Sequence, residues 1–272
     1  MKRVCAFWLV FMFCALLLTS CAWWQDLFGQ ADQVHEEISR KASDYLDTQY
    51  PDNDFVIGEP QQHLKGGSYY YVDVRSPSSQ DTYFSLQYDD KTYKLITDGY
   101  QQDVASGWNT RVRLVDAYSA LVDDCLTSIT SLQRIDSDFC KYSTNTTVDH
   151  YFSPEGLDPQ TLTLDKEYNA GKLGADYGFL EITAVITNDP VDFQDMLNVW
   201  QQIDRQLTDQ GVGYCLLELS IVDNDPETDT LLKVYNIRPE GLQQDDPIRY
   251  LQDLWDVQEA HRQNVKEQYR NG

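Results

Sequence analysis

The chain has 272 residues, of which 44 are acidic and 21 basic, and its net charge at neutral pH is −23. This excess of carboxylates argues against nucleic acid as a partner, because nucleic-acid binding depends on lysine and arginine side chains that neutralise phosphates. The hydrophobic fraction of 42% is sufficient for an ordinary hydrophobic core.

A short basic head and an apolar run open the chain. Lys2 and Arg3 precede an unbroken apolar segment, Val4–Leu18, which ends in the sequence Leu18-Thr19-Ser20-Cys21. This order is typical of a secretory signal peptide. An uncleaved membrane helix is the alternative, but a spanning helix needs about 20 consecutive apolar residues and this run is shorter.

The cysteine at the end of this segment resembles the lipobox of bacterial lipoproteins. In that family the cysteine thiol receives a diacylglyceryl group, and cleavage before it makes the lipidated cysteine the new N-terminus. The resemblance implies that residues 1–20 are a signal peptide, that Cys21 is the lipidation site, and that a lipid anchor holds the protein on a membrane outside the cytoplasm. Lys2 and Arg3 leave with the signal peptide, so the mature chain is expected to be still more acidic.

Residues 21–30 are predicted to form a membrane-proximal tether. Trp23, Trp24, Leu27 and Phe28 follow the lipidation site directly. Tryptophan side chains suit the headgroup zone of a bilayer because they combine an apolar body with one N–H donor. These residues fit the start of the first packed helix equally well.

Three cysteines remain beyond Cys21, namely Cys125, Cys140 and Cys215. Cys125 and Cys140 are able to close one loop, but sequence alone does not place their sulfurs within bonding distance. Cys215 falls on the apolar face of a predicted strand, where a free cysteine packs as a small hydrophobic residue. An odd number of cysteines in a secreted chain argues against a scaffold built from disulfides.

Hydrophobic periodicity predicts a first α+β unit over residues 31–145. A helix is predicted over Ala31–Tyr50, and Pro51 ends it. Short runs with alternating apolar residues predict four strands, at residues 55–57, 68–75, 82–88 and 91–97. Short antiparallel strands of this kind usually bury one face, and the helix is the natural cover.

A second amphipathic helix is predicted to complete this unit. It starts after Gly107, with Asn109 or Thr110 as its N-cap. Its apolar residues recur at steps of three and four: Trp108, Val112, Val115, Tyr118, Val122, Cys125 and Ile129. The order helix, four strands, helix over residues 31–130 resembles cystatin-like lipoproteins and small secreted proteins of Gram-positive bacteria. The inhibitory loops of cystatins are not recognisable in this sequence, so the resemblance does not imply protease inhibition.

A second α+β unit is predicted over residues 146–272. Periodicity is weak between Ser131 and Tyr177, where we expect only short elements and one strand around Thr161–Leu164. The later pattern predicts a strand, a helix, two strands and a last helix, at residues 179–187, 189–211, 214–222, 230–237 and from 246 onward. Asp189 is expected to cap the first of these helices, with Pro190 in its first turn. The fold class is therefore α+β, with two small units.

No segment matches a metal or cofactor motif. The acidic segment Asp223–Asp229 has carboxylates at the first, third and fifth places of a calcium loop, but Thr228 and Val234 replace its glycine and its bidentate glutamate. Gly211-Val212-Gly213 lacks the third glycine of a dinucleotide site. The four histidines show no metal-binding spacing: His35, His63, His150 and His261. We therefore expect no metal and no cofactor.

Three functions remain open, and the third is a purely structural spacer, which would show neither a cleft nor an exposed apolar patch. The first, which we predict, is a non-enzymatic binding or interaction module, anchored by lipid at the cell envelope, for a ligand or protein there. The second is an envelope hydrolase that uses a pair of acidic residues on cell-wall glycans, because the separation of two carboxylates is a property of the fold. The close pairs Asp52 with Asp54 and Asp136 with Asp138 are no specific signal, because acidic residues are so frequent in this chain that such spacings arise by chance. A cleft holding two carboxylates with perturbed pKa values favours the hydrolase.

The aromatic residues allow two interpretations, a sugar-binding groove or an ordinary core. The many tyrosines, with Trp108 and Trp200, are able to line a sugar-binding groove, but residues at helical and strand spacing are usually core residues. Their exposure in the fold decides between these interpretations.

Overall fold

The structure is a computed structural model, and it describes residues 32–63, 68–139, 156–187, 190–222 and 232–271. The expected signal peptide, Cys21 and the tether lie outside these residues, as do Cys140, His150 and the acidic segment Asp223–Asp229. The chain forms two compact units, which divide between Asn109 and Thr110.

The first unit contains a helix and an antiparallel sheet. Helix α1 covers residues 32–49. The strands are β1 (Val56–Ile57), β2 (Gln61–His63), β3 (Tyr69–Arg75), β4 (Tyr83–Asp89) and β5 (Leu95–Asp98). Their order in the sheet is β1-β3-β4-β5, and β2 pairs with β3 on the same side as β1. A π-helical turn, Gln101–Ala105, follows β5.

Helix α1 covers one face of this sheet. Alternate residues of β3 and β4 point to this face, because successive side chains of a strand lie on opposite sides. They share one buried cluster with the apolar face of α1: Ile38, Ala42, Leu46, Val72, Val74, Phe84, Leu86, Tyr88 and Val104. The opposite face of the sheet, which we call the outer face, carries the other set of alternating side chains.

Asp98, the last residue of β5, ties α1 to the sheet. Its carboxylate accepts hydrogen bonds from the hydroxyls of Tyr45, at 2.8 Å, and Tyr50, at 2.7 Å, and from the backbone N–H of Tyr100 at 2.9 Å. Burial and the neighbouring Asp98 carboxylate raise the pKa of Tyr45 to about 12, and the same two causes raise the pKa of Tyr50. Both phenols therefore remain neutral donors at any physiological pH.

The second unit contains a four-stranded sheet and five helices among its described residues. The helices are α2 (Trp108–Leu126), whose first two residues belong to the first unit, α3 (Ala170–Tyr177), α4 (Phe193–Asp209), α5 (Pro239–Leu242) and α6 (Pro247–Asn271). The strands are β6 (Leu132–Phe139), β7 (Gly178–Val185), β8 (Leu216–Val222) and β9 (Leu232–Ile237). They are arranged β6-β7-β8-β9, with β7 and β8 parallel and the other pairs antiparallel. The parallel pair requires a crossover, which α4 supplies.

The core of the second unit lies between its sheet and its longer helices. Residues of α2, α4 and all four strands share one cluster whose largest fully buried side chains are Leu114, Tyr118, Leu126, Phe139, Leu180, Ile182, Met196, Ile203 and Leu207. Trp200 is 6% exposed, and its indole N–H donates to the hydroxyl of Tyr214 at 2.6 Å. That hydroxyl donates in turn to Asp204 at 3.1 Å, so the buried polar groups are paired.

Glycines allow α3 to approach the loop before β8. The backbone N–H of Gly213 donates to the carbonyl of Gly171 at 2.8 Å, and the Tyr118 hydroxyl donates to the Gly213 carbonyl at 2.8 Å. A Cβ atom on Gly174 would lie 2.5 Å from Cε2 of Tyr118 and closer still to the Gly213 carbonyl oxygen. Gly174 is therefore a packing residue, and so is Gly213, whose Cβ would lie 2.7 Å from the Cβ of Ala175.

The α+β class and several predicted elements are confirmed. Helix α1, the strands β3, β4, β7, β8 and β9, and the helices α4 and α6 all lie where the hydrophobic pattern placed them. Gly211, the end of the helix in the hydrophobic pattern, has a φ of +69° and follows the last residues of α4. The final helix begins at Pro247, and Asp246 accepts a hydrogen bond from the backbone N–H of Arg249 at 3.1 Å.

The structure divides the chain elsewhere than near residue 145. The buried residues of α2 pack against the second sheet, so most of this helix belongs to the second unit and does not complete the first. The expected cap residues of α2 also differ. Asn109 and Thr110 lie inside the helix, and the Ser106 hydroxyl accepts a hydrogen bond from the Trp108 N–H at 3.2 Å. The resemblance to cystatin-like proteins remains a prediction.

Other local predictions were wrong. Strand β6 and helix α3 lie in the stretch of weak periodicity, whereas residues 162–164 form no strand and Pro159–Thr161 forms a 3₁₀ turn. Helix α4 begins at Phe193, and its N-cap is Asp192, not Asp189. Asp192 and Asp195 exchange side-chain and backbone hydrogen bonds in a capping box. In the first unit β2 was not expected, and β5 is shorter than its pattern because Tyr93 adopts a φ of +49°.

None of the helices within the five described ranges is long and apolar enough to cross a membrane.

Candidate functional site

A groove of about 650 Å³ opens in the first unit. Its walls come from β1, from the outer-face ends of β3 and β4, from the π-helical turn and from the start of α2. Ligand-binding clefts in proteins have volumes of about 300–1,000 Å³, and most combine apolar walls with a few polar groups. The groove has both the size and the composition of such a cleft.

The apolar walls of the groove are exposed to solvent. Trp108 is 46% exposed, and Tyr83 and Val56 are each 43% exposed. Together they place two aromatic rings and one aliphatic side chain around a single concave surface. Covering them with a ligand would remove apolar area from water, which is favourable.

Three charged side chains line the same groove. The carboxylate of Asp73 accepts a hydrogen bond from the Ser85 hydroxyl at 2.9 Å. Within the described part of the chain, neither the Arg75 guanidinium nor the Asp103 carboxylate has a hydrogen-bond or ion-pair partner. Burial raises the pKa of the Asp103 carboxyl above its ordinary value. Two of the three charged groups are therefore available to a ligand.

A glycine and a short turn place Asp103. The backbone N–H of Asp103 donates to the Gly99 carbonyl at 2.9 Å, and the Gly99 N–H donates to the Ser85 carbonyl at 3.1 Å. A Cβ atom on Gly99 would lie 2.8 Å from Oδ2 of Asp103 and 3.1 Å from the Ser85 carbonyl oxygen. The absence of a side chain at residue 99 therefore lets the Asp103 carboxylate lie against β4.

A buried asparagine places Trp108. Asn109 is 2% exposed, and its side-chain amide donates to the backbone carbonyls of Asp81, at 3.0 Å, and Tyr83, at 2.5 Å. Gly107, with a φ of +78°, makes the turn that leads into α2. These contacts hold the first residues of α2 beside the start of β4, so Trp108 and Tyr83 face one groove.

We predict that Asp103→Asn makes the protein more stable at neutral pH. The raised pKa of Asp103 means that its ionised form is disfavoured by folding, so the stability linked to its protonated form is lost as the pH rises through the folded-state pKa. The amide carries no charge and escapes this cost. Thermal unfolding at pH 7 should show a small rise in Tm for the variant, and the difference should vanish below the ordinary pKa of aspartate, about 3.9. Equal Tm values at pH 7 would contradict the assignment.

A second, more polar groove of about 410 Å³ lies in the second unit, beside β6. Three of the four charged groups that line it, all except Asp123, are already paired with protein groups. Arg134 forms an ion pair with Asp136, and Arg111 donates to Asp138 at 3.2 Å. The hydroxyls of Ser119 and Ser137 are hydrogen-bonded to each other at 2.9 Å. This groove offers a ligand fewer free groups than the groove of the first unit.

The close acidic pairs of the sequence, Asp52 with Asp54 and Asp136 with Asp138, do not line the groove of the first unit. Asp136 and Asp138 line the second groove, where each is held by an arginine. Asp54 accepts a hydrogen bond from the Ser76 hydroxyl, which lowers the pKa of its carboxyl, and Asp52 is exposed. The pair of carboxylates that shares the first-unit groove is instead Asp73 with Asp103.

The two tryptophans that could line a sugar-binding groove have different environments. Trp200 is a core residue, whereas Trp108 is half exposed in the groove although it belongs to the apolar stripe of α2. The alternation of residues 68–75 places Asp73, and by the same spacing Arg75, on the outer face, but no signal in the sequence marks Asp103. Arg75 lies far from Trp108 along the chain, and only the fold brings it beside Asp103 and Trp108.

The described residues contain no group of three or more histidine, cysteine, aspartate or glutamate side chains placed to hold a metal ion. The His35 ring meets Tyr70 edge-on with 5.9 Å between centroids, and the His63 ring stacks on Tyr69 at 4.8 Å. His261 lies on α6, and Cys125 and Cys215 have free thiols. The Cys215 thiol donates to the Gly178 carbonyl at 3.3 Å.

No protein-family model, curated protein or solved structure matches this chain. The groove of the first unit is the candidate binding site.

Proposed function

We propose that the protein is a non-enzymatic binding protein, anchored by lipid on the outer side of a membrane, that holds a sugar-containing ligand of the cell envelope. The proposed binding site is the groove in which half-exposed Trp108 and Tyr83 lie beside charged side chains. These side chains are Asp73, Arg75 and Asp103. The proposed location is supported by the lipobox-like sequence that ends at Cys21.

The chemistry of the groove suits a sugar. A sugar ring presents an apolar face of C–H groups and an edge of hydroxyls, so it requires a flat apolar surface and polar groups side by side. The rings of Trp108 and Tyr83 offer the surface. The carboxylates of Asp73 and Asp103 accept hydrogen bonds from hydroxyls, and the guanidinium of Arg75 donates to ring and hydroxyl oxygens.

Trp108→Ala is expected to weaken binding of cell-wall glycan fragments by about tenfold to a hundredfold, because truncation of a central aromatic residue commonly costs 2 kcal/mol or more. Isothermal titration calorimetry with the mature chain measures this loss. The control is Ile96→Ala, which removes a hydrophobic side chain that is 56% exposed but does not line the groove. Equal affinities for Trp108→Ala and Ile96→Ala would contradict the proposed site.

The second candidate is the envelope hydrolase, and one observation favours it. Asp73 and Asp103 line the same groove, and burial raises the pKa of Asp103, as expected of a general acid. Incubation of the protein with cell-wall glycan, with release of new reducing ends as the readout, separates the two candidates. The binding proposal predicts no release by the wild type, whereas a hydrolase would release ends and lose this activity in Asp103→Asn.

Cys21→Ser is expected to leave the precursor unlipidated. Acyl chains bind a bilayer with about 0.8 kcal/mol per buried methylene, so loss of the thiol removes the proposed membrane attachment. Intact mass measurement of the membrane fraction tests this prediction. The wild-type mature chain should start at Cys21 and carry the mass of its acyl groups. A chain that starts elsewhere, or that carries no acyl mass, would rule out the anchor.

A further inference from the structure

The outer face of the first sheet continues beyond the groove. Next to the pair Arg75 and Tyr83, strand pairing sets further rows of outer-face side chains, first Asp73 with Ser85, then Tyr71 with Gln61 and Gln87, then Tyr69 with His63 and Asp89. Because a strand rises about 3.3 Å per residue, the face from Arg75 to Tyr69 is about 20 Å long, room for about four linked sugar rings.

Aromatic rings on this face are held by their neighbours. The Tyr71 hydroxyl donates to the side-chain carbonyl of Gln61 at 2.5 Å, and the Tyr69 ring stacks on His63 with 4.8 Å between centroids. Both tyrosines remain partly exposed. Rings that are already ordered lose little conformational freedom when a ligand covers them, which favours binding.

The polar groups between these rings suit hydroxyls and amides. Gln87 and Gln61 each offer an amide that donates and accepts hydrogen bonds. The net charge of −23 repels polyanions. The face therefore fits a ligand that repeats apolar rings and hydroxyl edges and carries no negative charge.

We infer that the outer face binds a linear, uncharged polysaccharide laid along β3, from Trp108 and Tyr83 at one end to Tyr69 at the other. This inference rests on the proposed function, since it takes the groove as one end of the site. It adds that the ligand is a polymer and that Tyr71 contacts a sugar ring outside the groove.

The length of the ligand tests this inference. Calorimetric titration of the mature chain uses uncharged chito-oligosaccharides and cello-oligosaccharides of increasing length, and oligogalacturonates as anionic counterparts. For at least one uncharged series, affinity should rise about a hundredfold from one ring to about four and then level off. Oligogalacturonates of equal length should bind at least about tenfold more weakly because of charge repulsion.

Variants of Tyr71 test whether this residue contributes to the gain in affinity with ligand length. Tyr71→Ala should reduce the affinity for four rings by about tenfold while leaving the affinity for two rings unchanged. Tyr71→Phe keeps the ring and should retain most of the affinity for four rings. Tyr71 does not belong to the buried core of the unit, so neither change is expected to unfold it.

The outcomes separate the two proposals. If two rings bind as tightly as six, and if Trp108→Ala weakens both, the groove stands and the extended site is overturned. If Trp108→Ala changes the affinity for no length, or if neither uncharged series binds, both proposals are overturned. Tighter binding of oligogalacturonates than of the uncharged series would overturn the extended site as the place of an uncharged polymer.

Discussion

Gly174→Ala is expected to destabilise the second unit by about 3 kcal/mol or more, at the upper end of what an inserted core methyl group costs. The added Cβ would meet the Tyr118 ring at 2.5 Å and the carbonyl oxygen of Gly213 at a shorter distance still. A backbone carbonyl cannot rotate away as a long side chain can, so α3 would have to move from the loop before β8. Calorimetry should show a Tm lower by about 10 °C.

Gly211→Ala provides the matched control for this change. Gly211 has a φ of +69°, but no atom lies within 4 Å of the position that its Cβ would take. The variant therefore carries only the conformational cost of an alanine in the left-handed region, about 1 kcal/mol. Hydrogen exchange should place the larger loss of Gly174→Ala in α3 and β8. Equal losses for the two glycine variants would contradict the close packing described for α3.

Asp98→Asn is expected to destabilise the first unit by about 2–4 kcal/mol, because hydrogen bonds to a charged group are each worth about 1.5–3 kcal/mol. The variant retains one neutral acceptor for the two hydroxyls of Tyr45 and Tyr50, which now share the carboxylate. Urea unfolding of the mature chain measures the loss. Thr97→Ala, at the exposed neighbouring position on the outer face, is the control and should change stability by less than about 0.5 kcal/mol.

Alkaline pH gives an independent check on Asp98. Burial first, and Asp98 second, raise the pKa of Tyr45 from 10.0 to about 12, so the folded state keeps the phenol neutral at pH values where the unfolded chain ionises it. The stability linked to this phenol is present below pH 10 and is lost as the pH rises toward 12. Asp98→Asn should lose less stability across this window. An identical pH dependence in the variant and the wild type would argue against the pairing.

Elements with a strong and regular hydrophobic pattern could be predicted from the sequence. Met196, Ile203 and Leu207 define one face of α4, and all three are fully buried in the structure. Strand β6 was not predicted, because its inward residue Ser137 is polar and this weakens the apolar alternation. In the structure Ser137 is hydrogen-bonded to Ser119. Helix α3 has only eight residues, and two of them are glycines, which disfavour helices.

The boundary between the two units could not be predicted from the sequence. The apolar stripe of a helix shows which face is buried, but not which sheet that face packs against. Tyr118 and Val122 indicate an apolar face of α2, and this face would satisfy either sheet. Long-range contacts place the helix against the second sheet, and one of them is the hydrogen bond between Tyr118 and Gly213, which is ninety-five residues away in the chain.

The candidate site was still less accessible to sequence analysis. Trp108 follows the stripe of α2 but lies at its first turn, before the helix reaches the core of the second unit. Asp103 belongs to a short turn without periodicity, and its place in the groove depends on the missing side chain of Gly99. Such sites arise from tertiary contacts, and local patterns do not encode them.

Carbene footprinting of the mature chain, with and without cell-wall glycan fragments, tests the central claim most directly, because it reports which side chains a ligand covers. We expect the glycan to protect Tyr83 and Trp108 from labelling, while Ile96 and Leu121, which are also exposed, label as before. Unchanged labelling of Tyr83 and Trp108 under conditions where glycan is bound would contradict the assignment of the groove.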